Sequence, residues 1–569
     1  MKKMVSITST LLAMFLLASC APPGANRNQH GKEDPTKTHL YVYTYNGGVG
    51  RAWLDNLATK FMEDYAGESF AEGKTGIEVH VEADKATDVT ANSPYDVVFV
   101  EGVRIFSDIA AGNFLPINDL VTESLADVTN NEETATIESK LSVERQKMLK
   151  AVDGNYYCLP HYETYDGIVY DQDLFEEYGF YFLEGGGFCD MDSFENGVYV
   201  GEGRLSVGPD GVRGTSDDGL ASSYEEMFSL IDYMVKNNVT PFMWTGAYIS
   251  SYAYRLLNGA WAAMQGKEQM ELNFNFDSNA TGKEVLTEII ESFDEDGNPE
   301  TKMVSVTPET AYQLSAQTGK YYALKLLEKI LSNSANYSTK ITGVLTHLEA
   351  QEEYIFSSLE NNPCAMLIEG SWWYNEASDA FKRSINKYKD EAKNRRFAMM
   401  ELPRQATGQV TEGNGTKNTL YSALEAYGFI NAKIEGDQEA VKAAKTFLKY
   451  AYTQESLEQF TVDTGVFRGV DYSVSNEKLV GLDNYKKSII ALREKSDVVA
   501  PIGYSAMFVD NQVGFLPEFG SEVYKSIIGG ATKNDPFAAL KNSETTAKGY
   551  FSGSIKDASY WKKYSKYFD

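Results

Sequence analysis

The sequence predicts an α/β fold whose parallel strands carry a ligand site at their carboxyl ends. Three observations predict it. Alternating apolar runs and a helical 3–4 spacing succeed one another between residues 39 and 100. The chain has 569 residues, enough for two to four domains or two large lobes. Its composition is 43% hydrophobic and 23% charged, which excludes a disordered chain, a collagen-like fibre and a disulfide-dense miniprotein. The formal charge of −29 repels phosphate backbones, so no nucleic-acid partner is expected; a neutral ligand or a cation remains open. Aromatics reach 13% (Tyr 37, Phe 29, Trp 6), and the share beyond core needs suits a surface that binds flat, weakly polar rings.

The elements follow in order. Lys2 and Lys3 precede an apolar stretch from Met4 to Ala18, broken only by Ser6, Thr8, Ser9 and Thr10. It is short for a membrane span and reads as a signal peptide over residues 1–19. Leu17, Ala18, Ser19 and Cys20 match the lipobox of bacterial lipoprotein precursors, in which the cysteine thiol carries diacylglycerol and the freed amine another acyl chain. Residues 20–37, polar and rich in Pro, Gly and Asn, form a lipidated flexible tether. No second long apolar run follows, so the chain is expected to be extracytoplasmic, anchored to the cell membrane through Cys20 and otherwise soluble. Cys158, Cys189 and Cys364 fall in no CxxC motif; buried free thiols are expected, with a Cys158–Cys189 bridge left open.

Residues 39–45 read as a first strand and 46–50 as a turn. Trp53, Leu54, Leu57, Phe61 and Tyr65 mark a helix, residues 76–81 a second strand, and 95–100 a buried strand before Glu101. Strand ends place Asn46 to Gly48 and Glu101 where ligands bind in such sheets. The glycines there complete neither a GxGxxG nor a P-loop pattern, so no nucleotide site is assigned. Residues 156–160 and 167–170 follow, then a helix start with acidic caps at Asp171 and Asp173. Residues 180–223 are Gly- and Asp-rich and read as an insertion. Helices are expected over 224–237, 250–265, 311–332, 347–360 and 438–451, with strands at 365–370 and 426–430.

With these pieces in order, the chain resembles the extracytoplasmic sugar-binding proteins of ABC importers, the maltodextrin-binding-like group. Five landmarks carry the resemblance. They are Tyr45-Asn46-Gly47 with its helix and then 75–79 (TGIEV); 95–99 (YDVVF); Leu159-Pro160 with Tyr170 and Asp173-Leu174-Phe175; 364–372 (CAMLIEGSW); and 444–450 (AKTFLKY) with Thr464-Gly465-Val466. Asp171 and Gln172 stand where the group has Asn and Lys, and Phe467 where it has Pro. The resemblance implies a two-lobed, periplasmic-binding-protein-like fold (type II-like) with a hinge between lobes. It implies an N-lobe of residues 38–160 and about 426–485, and a C-lobe of about 161–425 and 486–569. It further implies capture of a carbohydrate, an oligosaccharide, and delivery to ABC permease subunits and their ATPase by a monomer that does no chemistry itself.

A sugar offers an apolar ring face and a belt of hydroxyls, so aromatic platforms and hydrogen-bonding side chains are sought. Trp372, after the strand-end Gly370, aligns with the aromatic that stacks on sugar in the group. Trp244, ending a short apolar run, is a second platform candidate, and Phe508 falls where the group has a further aromatic. Glu101, Asn46, Tyr162, Glu163 and Tyr165 are the polar candidates. Asp210, Asp217 and Asp218 cluster among turn glycines, and their oxygens could ligate Ca²⁺, although EF-hand spacing is not met and a plain Asp/Gly turn cluster is the preferred reading. No other cofactor is expected. Two rival classes stay open: a surface-anchored carbohydrate-active enzyme, and a binding protein for a polyamine or peptide.

Overall fold

The computed structural model describes residues 33–84, 93–101, 105–151, 153–273, 285–307, 309–338, 340, 345–406, 417–422, 426–500 and 536–562. Nine strands build two main sheets: β1 (Thr38–Tyr45), β2 (Ile77–Asp84), β3 (Val97–Glu101), β4 (Cys158–Pro160), β5 (Asp166–Asp171), β6 (Thr240–Met243), β7 (Cys364–Gly370), β8 (Phe397–Met399) and β9 (Ala426–Ile430). The first sheet runs β2-β1-β3-β9-β4 and the second β8-β5-β7-β6. The helices that bear on the site are α1 (Ala52–Asp64), α2 (Val143–Leu149), α3 (Tyr224–Lys236), α4 (Ile249–Gln265), α5 (Thr318–Leu331), α6 (His347–Ser357), α7 (Gln438–Tyr450), α8 (Gln454–Thr464) and α9 (Asn484–Lys495).

In the first lobe β1, β2 and β3 are parallel, whereas β9 enters antiparallel between β3 and β4. The layer is therefore mixed rather than wholly parallel. Val97 to Val100 are all fully buried, which is why the strand reads as an unbroken apolar run, and α1 and α7 pack together on this lobe, Phe61 meeting Phe447 edge-on at 5.1 Å. α1 buries Trp53, Leu54, Ala58 and Phe61, one stripe of its 3.6-residue period.

The second lobe packs β5 antiparallel to β7 and β8, with β6 parallel to β7. α3 opens on a capping box in which Ser223 accepts from the Glu226 N–H while the Glu226 carboxylate reaches back. The helix expected over 311–332 is split. A 3₁₀ turn at Ala311–Ala316 precedes α5, and Gln317 between them is extended, its side-chain amide donating to the Gln269 carbonyl at 2.9 Å and to Thr287 Oγ1 at 3.1 Å. The 180–223 segment is not a loose excursion: Phe180, Tyr181, Phe182, Cys189 and Leu220 join the second lobe's core.

The two cores are separate. One gathers side chains from Leu40 to Tyr162 and again from Ala426 to Val470; the other gathers Tyr165 to Tyr421, then Tyr485 to Val499 and Phe537 to Phe551. Cys158 lies in the first and Cys189 in the second, and all three described cysteines are free, so the Cys158–Cys189 bridge does not form. The crossing segments touch: the Glu163 N–H donates to the Phe467 carbonyl at 2.7 Å. No described helix is long and apolar enough to cross a membrane.

Candidate functional site: the seam between the lobes

Three strand ends and one crossing segment meet at the seam. β1 ends at Tyr45 and turns through Gly48, whose φ of +48° suits a residue without Cβ. A Cβ on Gly48 would lie 3.5 Å from Glu101 Oε1, 3.6 Å from the Tyr162 hydroxyl and 3.9 Å from Trp372 Cβ. So the β1 turn, the end of β3, the crossing segment and the turn after β7 converge on one bare Cα. Tyr45 faces the same seam: burial, then the charges of Glu101 in one lobe and Glu376 in the other, raise its hydroxyl pKa. Asn46 lies on this turn, exposed, with its N–H donating to the Asp84 carbonyl at 2.6 Å.

Trp372 folds back across Gly370. A Cβ at Gly370 would sit 1.9 Å from indole Cζ3, so only glycine lets the ring lie there. Its neighbour Trp373 points the other way and is fully buried in the second lobe. The Arg255 guanidinium of α4 lies 4.3 Å over the Trp372 ring and 5.2 Å over Tyr252. It is held by Asp166 Oδ1 at 2.9 Å. Burial opposes its charge, but Asp166, Tyr252 and Glu369 outweigh that and raise its pKa.

Behind the indole lies an acid pair. The Gln351 side-chain amide donates to Glu369 at 3.1 Å and to Glu376 at 2.7 Å. Burial, then the Glu376 charge, pushes Glu369 up to about 8, so the carboxyl is largely protonated at neutral pH. The seam thus offers an aromatic face, a fixed guanidinium and carboxyl groups from both lobes. That set can stack on a ring and bond paired hydroxyls.

Of the sequence-derived candidates, Trp372, Glu101 and Tyr162 come together here with Asn46 at the rim. Glu163 and Tyr165 do not. Glu163 is 0% exposed and forms the junction between lobes: Arg145 of α2 in the first lobe and Arg493 of α9 in the second both pair with it, Arg493 at 2.8 Å, and Tyr165 donates its hydroxyl at 2.6 Å. Burial alone would raise this carboxyl; the two guanidiniums hold it at about 2. Nearby, Arg468 is buried in a cage of Trp53, Phe99, Tyr452 and Phe460 and bonds His161 Nδ1 at 2.7 Å.

Trp244 is also not at the seam. It is 0% exposed in the second lobe's core, edge-on to Phe537 at 6.0 Å, because β6 turns that side chain inward under helix Pro536–Lys541. Phe508 and Cys20 lie outside the described residues. The insertion's acids are engaged: Lys495 of α9 reaches Asp217 at 2.9 Å, Asp210 at 3.3 Å and Glu401 more closely still. Asp218 instead accepts from the Gly214 N–H at 2.9 Å. Arg255, Tyr45, Glu369 and Glu376 were missed. Arg255 sits in a helix buried almost all round, so no periodicity singles it out; the acid pair's only signal was Glu369 at a strand end beside Gly370.

No family model matches the chain, and no curated protein matches it. Solved structures do. A binding protein of an ABC transporter from Bifidobacterium animalis subsp. lactis ATCC27673, in complex with mannobiose, aligns over 93% of this chain and 95% of its own with TM-score 0.51 and 12% identity. A chitin oligosaccharide binding protein aligns over 91% and 100% with TM-score 0.48 and 14% identity. The GacH receptor of Streptomyces glaucescens GLA.O, solved unliganded and with acarbose, aligns over 94% and 100% with TM-score 0.48 and 13% identity. The first of these shows the fold: the chain has the two-lobed α/β architecture of a solute-binding protein.

Proposed function

We propose that this chain is the substrate-binding lipoprotein of an ABC importer. In this reading it captures a carbohydrate, an oligosaccharide, between its lobes and delivers it to permease subunits driven by a separate ATPase. The observation that carries the reading is the convergence of Trp372, Arg255, Glu101, Tyr162 and Tyr45 from both lobes and a crossing segment onto one seam. A ligand gripped there contacts both lobes, and so favours the closed arrangement over the open one. The Arg255 guanidinium over the indole holds the place a sugar ring would take, and a bound ring displaces it or extends the stack. The ABC-transporter binding protein of the same fold was solved with mannobiose, which supports a sugar over other solutes.

The remaining parts belong to the same proposal. The chain acts as a monomer, is held outside the membrane through lipid on Cys20, and performs no catalysis. The Asp/Gly insertion works without Ca²⁺, because the Lys495 ammonium already supplies the positive charge its acids need.

A thermal-shift screen of oligosaccharides, polyamines and short peptides tests the reading, followed by calorimetry of the best ligand and product analysis. Ligand at about 100 times Kd stabilises the native state by about 2.7 kcal/mol, a readily measured rise in Tm. Steady formation of new reducing ends would move the chain to the enzymes, and stabilisation by polyamines alone would overturn the sugar reading. Cys20→Ala is expected to release the chain from the membrane fraction; retention with normal processing would refute the lipid anchor.

A further inference from the structure

The outer face of the β1–β2 pair carries a cluster that the ligand seam does not use. Parallel pairing sets His39 opposite Glu78 and Tyr41 opposite His80, so all four side chains share one face. His39 Nδ1 lies 3.0 Å from His80 Nε2 and 3.4 Å from Glu78 Oε2. His39 Nε2 lies 2.8 Å from the Asp34 carbonyl oxygen. A carbonyl only accepts, so Nε2 carries the proton and, in the neutral ring, Nδ1 presents its lone pair to His80 and Glu78. This is the outer-shell arrangement that orients histidines bound to metal: one nitrogen free for the ion, the other donating to a backbone carbonyl. Tyr41 stacks on the His80 ring at 4.8 Å and limits its orientation from the other side.

From this geometry we infer a transition-metal site formed by His39 Nδ1, His80 Nε2 and a Glu78 carboxylate oxygen, with the ligand chemistry of Zn²⁺. Two imidazoles and a carboxylate are a common zinc set, and bond lengths of about 2.0–2.1 Å put neighbouring ligand atoms of a tetrahedron about 3.3–3.4 Å apart. The separations of 3.0 Å and 3.4 Å fall at or slightly inside that edge length, and the three ligand atoms lie within 4.8 Å of one another. Without metal, His80 Nε2–H donates to His39 Nδ1; on binding, the His80 proton passes to its own Nδ1, so the ring stays neutral and both lone pairs face the ion. The fourth position is left for water or an exogenous ligand. The site would pin β2 to β1 and to the chain at Asp34, far from the seam in function: it predicts metal binding that is independent of sugar.

Zn²⁺ and Co²⁺ alone, titrated into the untagged mature chain, test the site. Calorimetry is expected to give one saturable equivalent of Zn²⁺. Co²⁺ is expected to give the visible absorption of a tetrahedral complex, displaced by Zn²⁺. His80→Ala or His39→Ala should weaken Zn²⁺ at least about 100-fold and Glu78→Gln about 10-fold, on the scale of lost ligand and shell contacts. Melting curves without metal confirm that each variant folds; the Co²⁺ spectrum of the unaltered chain stands even if one does not. No saturable heat, a purely octahedral Co²⁺ spectrum, or unchanged affinity in folded His80→Ala would each overturn the site.

Discussion

Replacing Glu163 by Gln removes one negative charge from between two buried guanidiniums while keeping the side chain's volume. Glu163 has no exposed surface, so the charges meet in a weakly screened interior. Its carboxyl is held at about 2 against an ordinary 4.5, a preference for the ionised form worth about 3 kcal/mol. Removing one partner of a buried pair typically costs about 3–5 kcal/mol, so two routes give the same size. The sign follows from the depressed pKa. The folded state binds fewer protons than the unfolded, so the contribution is complete above pH 4.5 and lost as pH falls toward 2. Urea titrations of both proteins at pH 7 and pH 3 measure it. Glu163→Gln should be less stable by about 3 kcal/mol at pH 7, with the gap shrinking at pH 3. Equal stability at pH 7, or a gap indifferent to pH, would refute the view of Glu163 as the charged junction of the lobes.

Trp372→Ala should weaken the best glycan by about 30-fold or more, about 2 kcal/mol, with a near-normal melt; a collapsed melt with native affinity in the folded fraction would assign the indole to the core instead. Glu369 has a raised pKa of about 8, so its contribution is complete below the ordinary 4.5 and fades as pH rises through 8. Glu369→Gln should therefore flatten the decline of Tm between about pH 5 and 8, and an unchanged decline would point to another group. Lys495→Met leaves Asp210, Asp217 and Glu401 without their ammonium and should cost about 3–5 kcal/mol. Millimolar Ca²⁺ should leave the unaltered protein's Tm in place, and a rise of several degrees would restore the calcium reading of the insertion.

Much of the seam was legible because strand ends are local features. The runs ending at Tyr45, Glu101 and Gly370 each announce a turn, and those turns meet around Gly48 and Trp372. What failed was partnership over distance. An acid close to tyrosines in a crossing segment reads as a ligand-binding candidate; nothing nearby reveals that Glu163 pairs with Arg145, 18 positions away, and Arg493, 330 away. Trp244 misled for a related reason. An aromatic that closes an apolar run reads as a platform, but which way it faces depended on Phe537, almost three hundred residues later. Periodicity also cannot flag Arg255, since α4 is apolar around nearly its whole circumference.

The place of β9 has a consequence for the order in which the molecule is made. This strand lies inside the first sheet, between β3 and β4, yet it begins at Ala426. A nascent chain that has emerged through β4 therefore holds β3 and β4 with nothing between them. The whole second-lobe sheet is synthesised before the missing strand arrives. The first lobe thus cannot close until Ala426–Ile430 arrives, and the second waits longer still, for the core residues Tyr485 to Val499 and Phe537 to Phe551; until β9 arrives, β3 exposes an unpaired edge of Val97, Val98, Phe99 and Val100. In the exported lipoprotein proposed above, such a delay would keep the half that leaves first from locking into shape on the wrong side of the membrane.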